Sequence, residues 1–405
     1  MNKHVIHTPE GVRDIYGYEN YKKVQIERQI HQTFTSYGYM DIQTPTFEFL
    51  SIYGDEVGTT PLNELYKFFD KEGNIMALRP DFTPSIARCA SKYFTKETIP
   101  VRFCYHGNTF TNTINLQGKL NEATQMGAEL IGDDSIYGDA EMIHLVAKSI
   151  LSTGLTDFQL SIGQVDYFRG VCEEMGLSKE VEDELFNLIT TKNYFAADEL
   201  LCANGIEESY RQVISKTATL YGTIDALLEA KSLVSNETSK QAIERLEQVY
   251  EILRTYGMEQ YISFDLGMLS KYHYYSGIIW KGYTYGIGDA IVTGGRYDRL
   301  LAQFGKNAPA IGFVIVIDDL MSAINSQNIT VKREKEQAII LYKQQHFTQA
   351  LEAQVKLREA GMNVALNLCH GDDVVDEYTT YVNNHMITKL FLIDDSATLQ
   401  EVEVN

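Results

Sequence analysis

The spacing of apolar side chains predicts two amphipathic helices in the first part of the chain. Apolar residues recur at every fourth position within 19–37, which predicts a helix that ends at Gly38. A similar pattern predicts a second helix over 138–151, with Asp139 placed to cap its first turn. Strand-like segments lie at 40–48, 75–80, 101–110 and 123–131.

The next part of the chain combines strands with one long helical region. Residues 158–162 alternate between apolar and polar side chains, as a half-buried strand does. Residues 178–256 are rich in Leu, Glu, Lys and Ala and contain few strand formers, so we expect them to be mainly helical. Further strands are predicted at 261–266, 273–284, 288–293 and 311–317. Together these elements predict an α+β core, with an antiparallel sheet mixed with helices.

A charged segment over 331–337 is typical of a linker between domains. It predicts a core of residues 1–330, followed by a small domain of residues 335–405. In the small domain, strands predicted at 338–342, 363–367 and 388–393 alternate with helices predicted at 346–360 and 373–385. This order predicts a small α/β domain with a parallel sheet.

Composition narrows the class of protein. The 405 residues are 44% hydrophobic, contain no apolar run of membrane-spanning length and begin without an apolar signal core, so we expect a cytoplasmic globular protein. The five cysteines form no CxxC pair, which argues against a zinc site or a disulfide framework. The net charge is −20 and no basic run occurs, which argues against binding of tRNA.

Several short motifs resemble, in order and spacing, those of the histidyl-tRNA synthetases, which belong to class II of the aminoacyl-tRNA synthetases. The matching segments are 8–14, 37–48 for the first class II motif, 78–88, 294–298, and 311–320 for the third motif. The resemblance implies a core like that of a class II synthetase. It also implies that 178–256 is the helical insertion of the family and that 335–405 is a shortened anticodon-binding domain.

The resemblance further implies a pocket for an amino acid similar to histidine. Asp81 and Thr83 match positions that hold the α-amino group, and Gln125 and Glu129 match positions that contact the amino acid, including the histidine ring. Gln125 and Glu129 lie four residues apart on a predicted strand and therefore share one face. The predicted pocket comprises Asp81, Thr83, Gln125, Glu129, Tyr274 and Tyr275. Taken singly, each of these residues is more typical of an ordinary polar position at a sheet edge, and only the set at family spacing favours the pocket.

Four positions depart from the synthetase pattern around the ATP site. The synthetases carry arginines where this chain has Thr111, Ser270 and Asp319, and they carry glutamate where it has Asp318. Adenylation depends on cations that are already in place where negative charge develops. We therefore expect no aminoacylation, no catalytic residue, and no bound metal or cofactor.

The chain keeps the residues of the amino-acid pocket and lacks the arginines of the ATP site. This combination resembles the regulatory subunits of ATP phosphoribosyltransferase. These subunits are relatives of the synthetases and act in histidine biosynthesis. The resemblance implies a non-catalytic subunit that partners the short-form catalytic subunit in a hetero-octamer and takes part in feedback by histidine. It also implies a homodimer through the core, with the contact near 19–48. Two alternatives remain open, namely a divergent active histidyl-tRNA synthetase and a free-standing histidine sensor.

Overall fold

A computed structural model describes residues 6–54, 60–113, 120–269, 275–331, 336–369, 374–385 and 387–403. The chain divides into two compact units, one of Met1–Asp14 with Ile26–Ile329 and one of Ile15–Gln25 with Thr330–Asn405. This division differs from the predicted core of 1–330, because the start of the first helix groups with the C-terminal residues. Within that second unit the Tyr18 hydroxyl donates a hydrogen bond to the Val331 carbonyl at 3.4 Å.

The helices of the described chain are α1 Gly17–Ser36, α2 Thr83–Tyr93, α3 Ile136–Ser152, α4 Val165–Met175, α5 Lys179–Thr190, α6 Tyr194–Ala203, α7 Glu208–Thr217, α8 Asp225–Leu233, α9 Glu237–Thr255, α10 Ile317–Ser326, α11 Phe347–Glu359 and α12 Val374–Asn384. The strands of the first unit are β1 Met40–Asp41, β2 Phe47–Phe49, β3 Lys67–Phe69, β4 Ile75–Leu78, β5 Val101–Phe110, β6 Glu122–Ile131, β7 Phe158–Gln164, β8 Tyr221–Gly222, β9 Ile262–Asp265, β10 Ile278–Thr284, β11 Val292–Arg296 and β12 Ala310–Val316. The second unit adds β13 Gln337–Tyr342, β14 Asn363–Leu368, β15 Lys389–Ile393 and β16 Leu399–Val402. None of the helices in the described ranges combines the length and the apolar character that a membrane span requires.

A nine-stranded sheet organises the first unit, in the order β1-β5-β6-β12-β11-β10-β7-β9-β8. Its central ladders are antiparallel, and the pairs β1/β5 and β7/β9 are parallel. The predicted α+β fold with an antiparallel core is therefore confirmed. A separate antiparallel sheet has the order β2-β4-β3.

Helix α1 packs on this sheet as its apolar spacing predicts. Ile26, Ile30 and Phe34 are fully buried, and the Phe34 ring contacts Phe313 of β12 with a centroid distance of 5.7 Å. The predicted strand over 40–48 is interrupted between β1 and β2. Pro45 lies in this break, and a proline has no N–H group to donate to a strand ladder.

The start of helix α3 corrects the predicted cap. Ser135, not Asp139, is the N-cap, and its side chain accepts a hydrogen bond from the Gly138 N–H group at 3.2 Å. Asp139 lies inside the first turn, is fully buried, and pairs with Arg296 and Arg245. Ser135 and Asp139 are both residue types that cap helices well. The Asp139 carboxylate is bound by the two arginines, and Ser135 is the cap.

Other boundaries differ from the predicted ones, although the element types agree. The region predicted to be helical over 178–256 contains α5 to α9 and one two-residue strand, β8. Strand β11 begins at Val292, later than the predicted residue 288, and its pairing with both neighbouring strands starts there. The strand predicted over 273–284 begins at Ile278, and 270–274 lie outside the described residues. Helices α2, α4 and α10 were not predicted.

The second unit contains a four-stranded sheet in the order β14-β13-β15-β16. The three predicted strands are parallel, and the unpredicted β16 pairs antiparallel with β15. The turn before β16 is closed by Asp394, whose carboxylate accepts hydrogen bonds from the backbone N–H groups of Ser396 and Thr398. A small α/β domain is therefore present, with one strand more than its sequence pattern indicated.

Candidate functional site

A buried carboxylate on strand β6 is the centre of the candidate site. The Glu129 side chain is almost fully buried, and it accepts hydrogen bonds from the Tyr297 hydroxyl at 2.6 Å and the Thr83 hydroxyl at 3.1 Å. Burial raises the pKa of Glu129 to about 8, and the charge of Asp81 adds to the rise, while the two hydrogen bonds oppose it. A cationic group that entered the pocket would favour the ionised form of this carboxyl group.

A glycine on the neighbouring strand provides the space for this carboxylate. Gly312 of β12 pairs with Glu129, and a Cβ atom at Gly312 would lie 1.5 Å from Glu129 Oε2. Two residues earlier on β6, a Cβ atom at Gly127 would lie 2.3 Å from the Tyr105 hydroxyl oxygen. These two glycines are therefore required by the side chains that pack over them.

The start of helix α2 supplies a second acid. Asp81 accepts a hydrogen bond from the backbone N–H of Thr83 at 2.7 Å, so its carboxylate satisfies one of the free donors at the helix start. Phe82, the N-cap residue, offers no side-chain hydrogen bond of its own. Thr83 thus binds Asp81 through its backbone and Glu129 through its hydroxyl, and it holds the two acids near each other.

Aromatic residues and one buried arginine line the same region. The Tyr105 ring stacks on Phe82 with a centroid distance of 4.4 Å, and the Arg79 guanidinium lies 4.0 Å from the Phe82 centroid in a cation–π contact. Arg79 donates hydrogen bonds to the carbonyls of Asn108 at 2.7 Å and Thr44 at 3.1 Å. Burial lowers the pKa of Arg79. These contacts fix the segment that leads into Asp81.

Two of the predicted pocket residues complete the described part of the site. Gln125 lies on β6 four residues before Glu129, and the two side chains project from the same face of the strand. Tyr275 packs between two hydrophobic clusters, and a Cβ atom at Gly295 would lie 2.7 Å from its ring. Tyr274 lies outside the described residues.

The positions where the resemblance implies contacts to ATP carry acids and neutral polar groups. Asp318 and Asp319 lie in the first turn of α10, where the helix dipole favours negative charge. An Asp318 carboxylate oxygen accepts a hydrogen bond from the backbone N–H of Thr124 at 2.7 Å. Thr111 follows the end of β5, and its N–H donates to the Asn121 carbonyl at 2.9 Å. Ser270 lies outside the described residues.

A buried ion-pair network lies behind the pocket. The Arg296 guanidinium contacts Asp139 at 2.5 Å and Asp298 at 3.1 Å, and Asp139 also accepts a hydrogen bond from Arg245 at 2.7 Å. Asp298 in turn accepts a hydrogen bond from the Ser276 hydroxyl at 2.9 Å, and Ser276 follows Tyr275 directly. The network therefore links Ser276, the residue after Tyr275, to helix α9 of the helical region.

Sequence reasoning missed three residues of this site. Arg79 and Tyr297 lie in the matching segments 78–88 and 294–298, but the sequence did not assign them to the pocket. Tyr105 was not predicted to have a role. Their contacts depend on which strands become neighbours, which no local pattern reports.

Comparison with known proteins decides the family. The family model described as histidyl-tRNA synthetase matches residues 11–320. The ATP phosphoribosyltransferase regulatory subunit of Ruminiclostridium cellulolyticum is 36% identical over 100% of this chain and 97% of its own length. The protein of that name from Thermoanaerobacter pseudethanolicus is 38% identical over 92% of this chain and 97% of its own. The chain belongs to the family of ATP phosphoribosyltransferase regulatory subunits.

Solved structures agree with this family and its fold. An ATP phosphoribosyltransferase regulatory subunit/histidyl-tRNA synthetase from Bacillus halodurans aligns with a TM-score of 0.85 at 30% identity, over 93% of this chain and 96% of that one. Histidyl-tRNA synthetase from Nostoc sp. PCC 7120 aligns with a TM-score of 0.81 at 20% identity, over 98% and 96% of the two chains. The second likeness shows that regulatory subunits and synthetases share the fold.

Proposed function

We propose that this chain is a regulatory subunit of ATP phosphoribosyltransferase in histidine biosynthesis, and that it does not aminoacylate tRNA. The observation that carries the proposal is the contrast between the two sides of one site. Around Glu129 the acids and hydroxyls suited to an amino acid are in place. On the ATP side, the synthetase arginines are replaced by Thr111 and Asp319.

The chemistry of the amino-acid side supports histidine as the effector. A zwitterionic ligand needs an acceptor for its ammonium group, and Asp81 together with the Thr83 hydroxyl is placed to provide one. Glu129 is an acceptor for a protonated or N–H-bearing imidazole. A buried carboxylate without a cationic partner is costly, so a ligand that pairs with it gains more than one bound at an exposed acid.

The ATP side opposes triphosphate binding. A charge-assisted hydrogen bond from an arginine is worth about 1.5–3 kcal/mol, and the substitution by aspartate places like charges together. Asp319 and Asp318 also stabilise the start of α10, so these acids have a local role in the fold. The subunit must therefore act through contact with a catalytic partner rather than through chemistry of its own.

An exposed aromatic face supports self-association as part of this assembly. Phe47 and Phe49 project from one face of β2, with 51% and 52% of their surface exposed, and the Phe68 ring lies 5.5 Å from that of Phe47. Of these three residues, the aromatic face, Phe47 lies within segment 19–48, where the resemblance to class II synthetases implies the contact between copies. We propose that a second copy of the chain covers this face, and that the dimer joins short-form catalytic subunits in a hetero-octamer.

Mixing the chain with a short-form ATP phosphoribosyltransferase tests the proposal. We expect a faster rate of phosphoribosyl transfer, followed by product absorbance, and a larger mass by light scattering. A stable contact of this kind typically buries more than about 1,200 Å² of surface. An unchanged rate together with an unchanged mass would favour a free-standing histidine sensor instead.

A further inference from the structure

Three metal-ligating side chains of different chemical type converge away from the pocket. His31, Asp41 and Cys104 each place one donor atom within 4.8 Å of the other two. His31 Nε2 lies 2.8 Å from Asp41 Oδ1, and Cys104 Sγ lies 3.7 Å from the same oxygen. Against the expectation from cysteine spacing, we propose that this triad is a binding site for a divalent transition-metal ion of the zinc class.

Secondary structure holds the three donors in register. His31 lies on α1, Asp41 on β1 and Cys104 on β5, and the parallel pairing of the two strands sets Asp41 directly beside Cys104. The Ile42 N–H group donates to the Cys104 carbonyl at 2.9 Å and extends that pairing. Backbone hydrogen bonds therefore fix two of the three ligands, and only the helical one depends on packing.

A second contact keeps the helix on the strand. Glu27 precedes His31 by one helical turn and lies 3.3 Å from His106 Nε2. His106 lies two residues after Cys104 on β5, so the two side chains share one face of the strand. This contact joins helix α1 to strand β5 without involving the His31 side chain.

Two of the three donor distances suit tetrahedral coordination after a small movement, and the third, between His31 and Cys104, is within 4.8 Å. Bonds of about 2.0–2.3 Å to nitrogen, oxygen and sulfur place donor atoms about 3.3–3.8 Å apart. The contact between Cys104 and Asp41 already has this spacing. The contact between His31 and Asp41 must open by about half an ångström. Both side chains are partly exposed, at 42% and 70%, so they are free to make that adjustment.

The donor set selects the kind of ion. Thiolate, imidazole and carboxylate together suit zinc and its neighbours, whereas magnesium and calcium prefer oxygen ligands alone. The Cys104 thiol must lose its proton to bind the ion as a thiolate, and that proton passes to solvent.

A structural role would involve only weak contacts. An exposed histidine–aspartate pair contributes little to stability, and the Cys104 thiol donates a long hydrogen bond of 3.7 Å to the same Asp41 oxygen. Coordination of one ion would use all three side chains at once.

Titration of the full chain with cobalt(II), in reducing and chelator-free buffer, tests the site. A thiolate ligand gives a cobalt charge-transfer band in the near ultraviolet. We expect this band in the native chain and its loss in Cys104→Ser. Asp41→Asn and His31→Gln should each weaken cobalt affinity about tenfold or more. Zinc(II) should displace the cobalt and raise the melting temperature.

Cys202→Ser is the matched control, because Cys202 is an exposed thiol on α6 outside the triad. The cobalt charge-transfer band of this variant should equal that of the native chain. The proposal fails if the native chain gives no band, or if the band survives in Cys104→Ser. Should Cys104→Ser unfold, as judged by circular dichroism, the exposed Asp41→Asn decides. Native affinity for cobalt in Asp41→Asn would overturn the proposal.

Discussion

Glu129 and Gly312 face each other across strands β6 and β12, and the lack of a side chain at Gly312 leaves room for the Glu129 carboxylate. The pairing shows how an ionisable group is placed at the centre of a sheet. The strand that carries the acid also determines where its neighbour must be glycine. Position 312 is therefore part of the pocket, although it contributes no functional group.

Gly312→Ala should displace the carboxylate and damage the pocket. A methyl group 1.5 Å from Oε2 forces Glu129 out of its hydrogen bonds with Tyr297 and Thr83. We expect a loss of about 1–3 kcal/mol in the free energy of unfolding and a loss of histidine binding. Urea unfolding and isothermal titration calorimetry measure the two effects.

Gly288→Ala is the matched control for this change, because a Cβ atom at Gly288 meets nothing within 4 Å. Its stability and histidine binding should stay close to those of the native chain. Equal losses in both variants would mean that the contact with Glu129 is not the cause.

Stability of the ligand-free chain should fall as pH rises. The pKa of Glu129 is about 8 in the folded chain, against 4.5 for an unperturbed glutamate, so the folded chain binds more protons between these values. The stabilising contribution is complete below the unfolded pKa and is lost as pH rises through about 8. Between about pH 6 and about pH 9 the free energy of unfolding should fall by roughly 2–3 kcal/mol.

Glu129→Gln provides the control for the pH effect. The amide does not titrate, so this part of the pH dependence of the unfolding free energy should disappear in denaturant melts of the variant. A native chain and a variant with the same dependence would show that another group is responsible.

The chain should give no histidine-dependent pyrophosphate exchange and should not charge histidine tRNA. The reason is the loss of cations at Thr111 and Asp319, where the adenylation reaction needs positive charge. An intact histidyl-tRNA synthetase assayed in parallel is the positive control. Exchange above the blank would restore the alternative of a divergent active synthetase.

Loss of the aromatic face should weaken self-association. Phe47→Ser with Phe49→Ser removes two exposed rings, and we expect the dissociation constant of the dimer to rise about tenfold or more. Sedimentation equilibrium measures this constant. Phe195→Ser on α6 removes a ring that is 75% exposed elsewhere and should leave the constant unchanged. A dimer of native strength in the double variant would place the contact on another surface.

The sequence was most informative where local patterns determine structure. The four-residue spacing of Ile26, Ile30 and Phe34 predicted a helix and its buried face, and the structure has both. The predicted cap of α3 was wrong because Ser135 and Asp139 both suit a helix start. Only the tertiary contact of Asp139 with Arg296 distinguishes them.

The site was predictable only in part, for a related reason. The family motifs indicated Asp81, Thr83 and Glu129, and the structure places these residues in contact through Thr83. Tyr297 reaches Glu129 from 168 residues away, which depends on the order β6-β12-β11 in the sheet. Strand order is a property of the whole fold, so no spacing within one segment reports it.

Histidine inhibition of the reconstituted complex tests the central claim most directly. The chain is mixed with a short-form ATP phosphoribosyltransferase, and the histidine concentration for half-inhibition is measured for the native chain and for Glu129→Gln. Glu72→Gln, an exposed change in the turn after β3, serves as the control. We predict that Glu129→Gln raises the histidine concentration for half-inhibition about tenfold or more, whereas the control has the value of the native chain. Equal half-inhibition by histidine in the native and Glu129→Gln complexes would contradict the account.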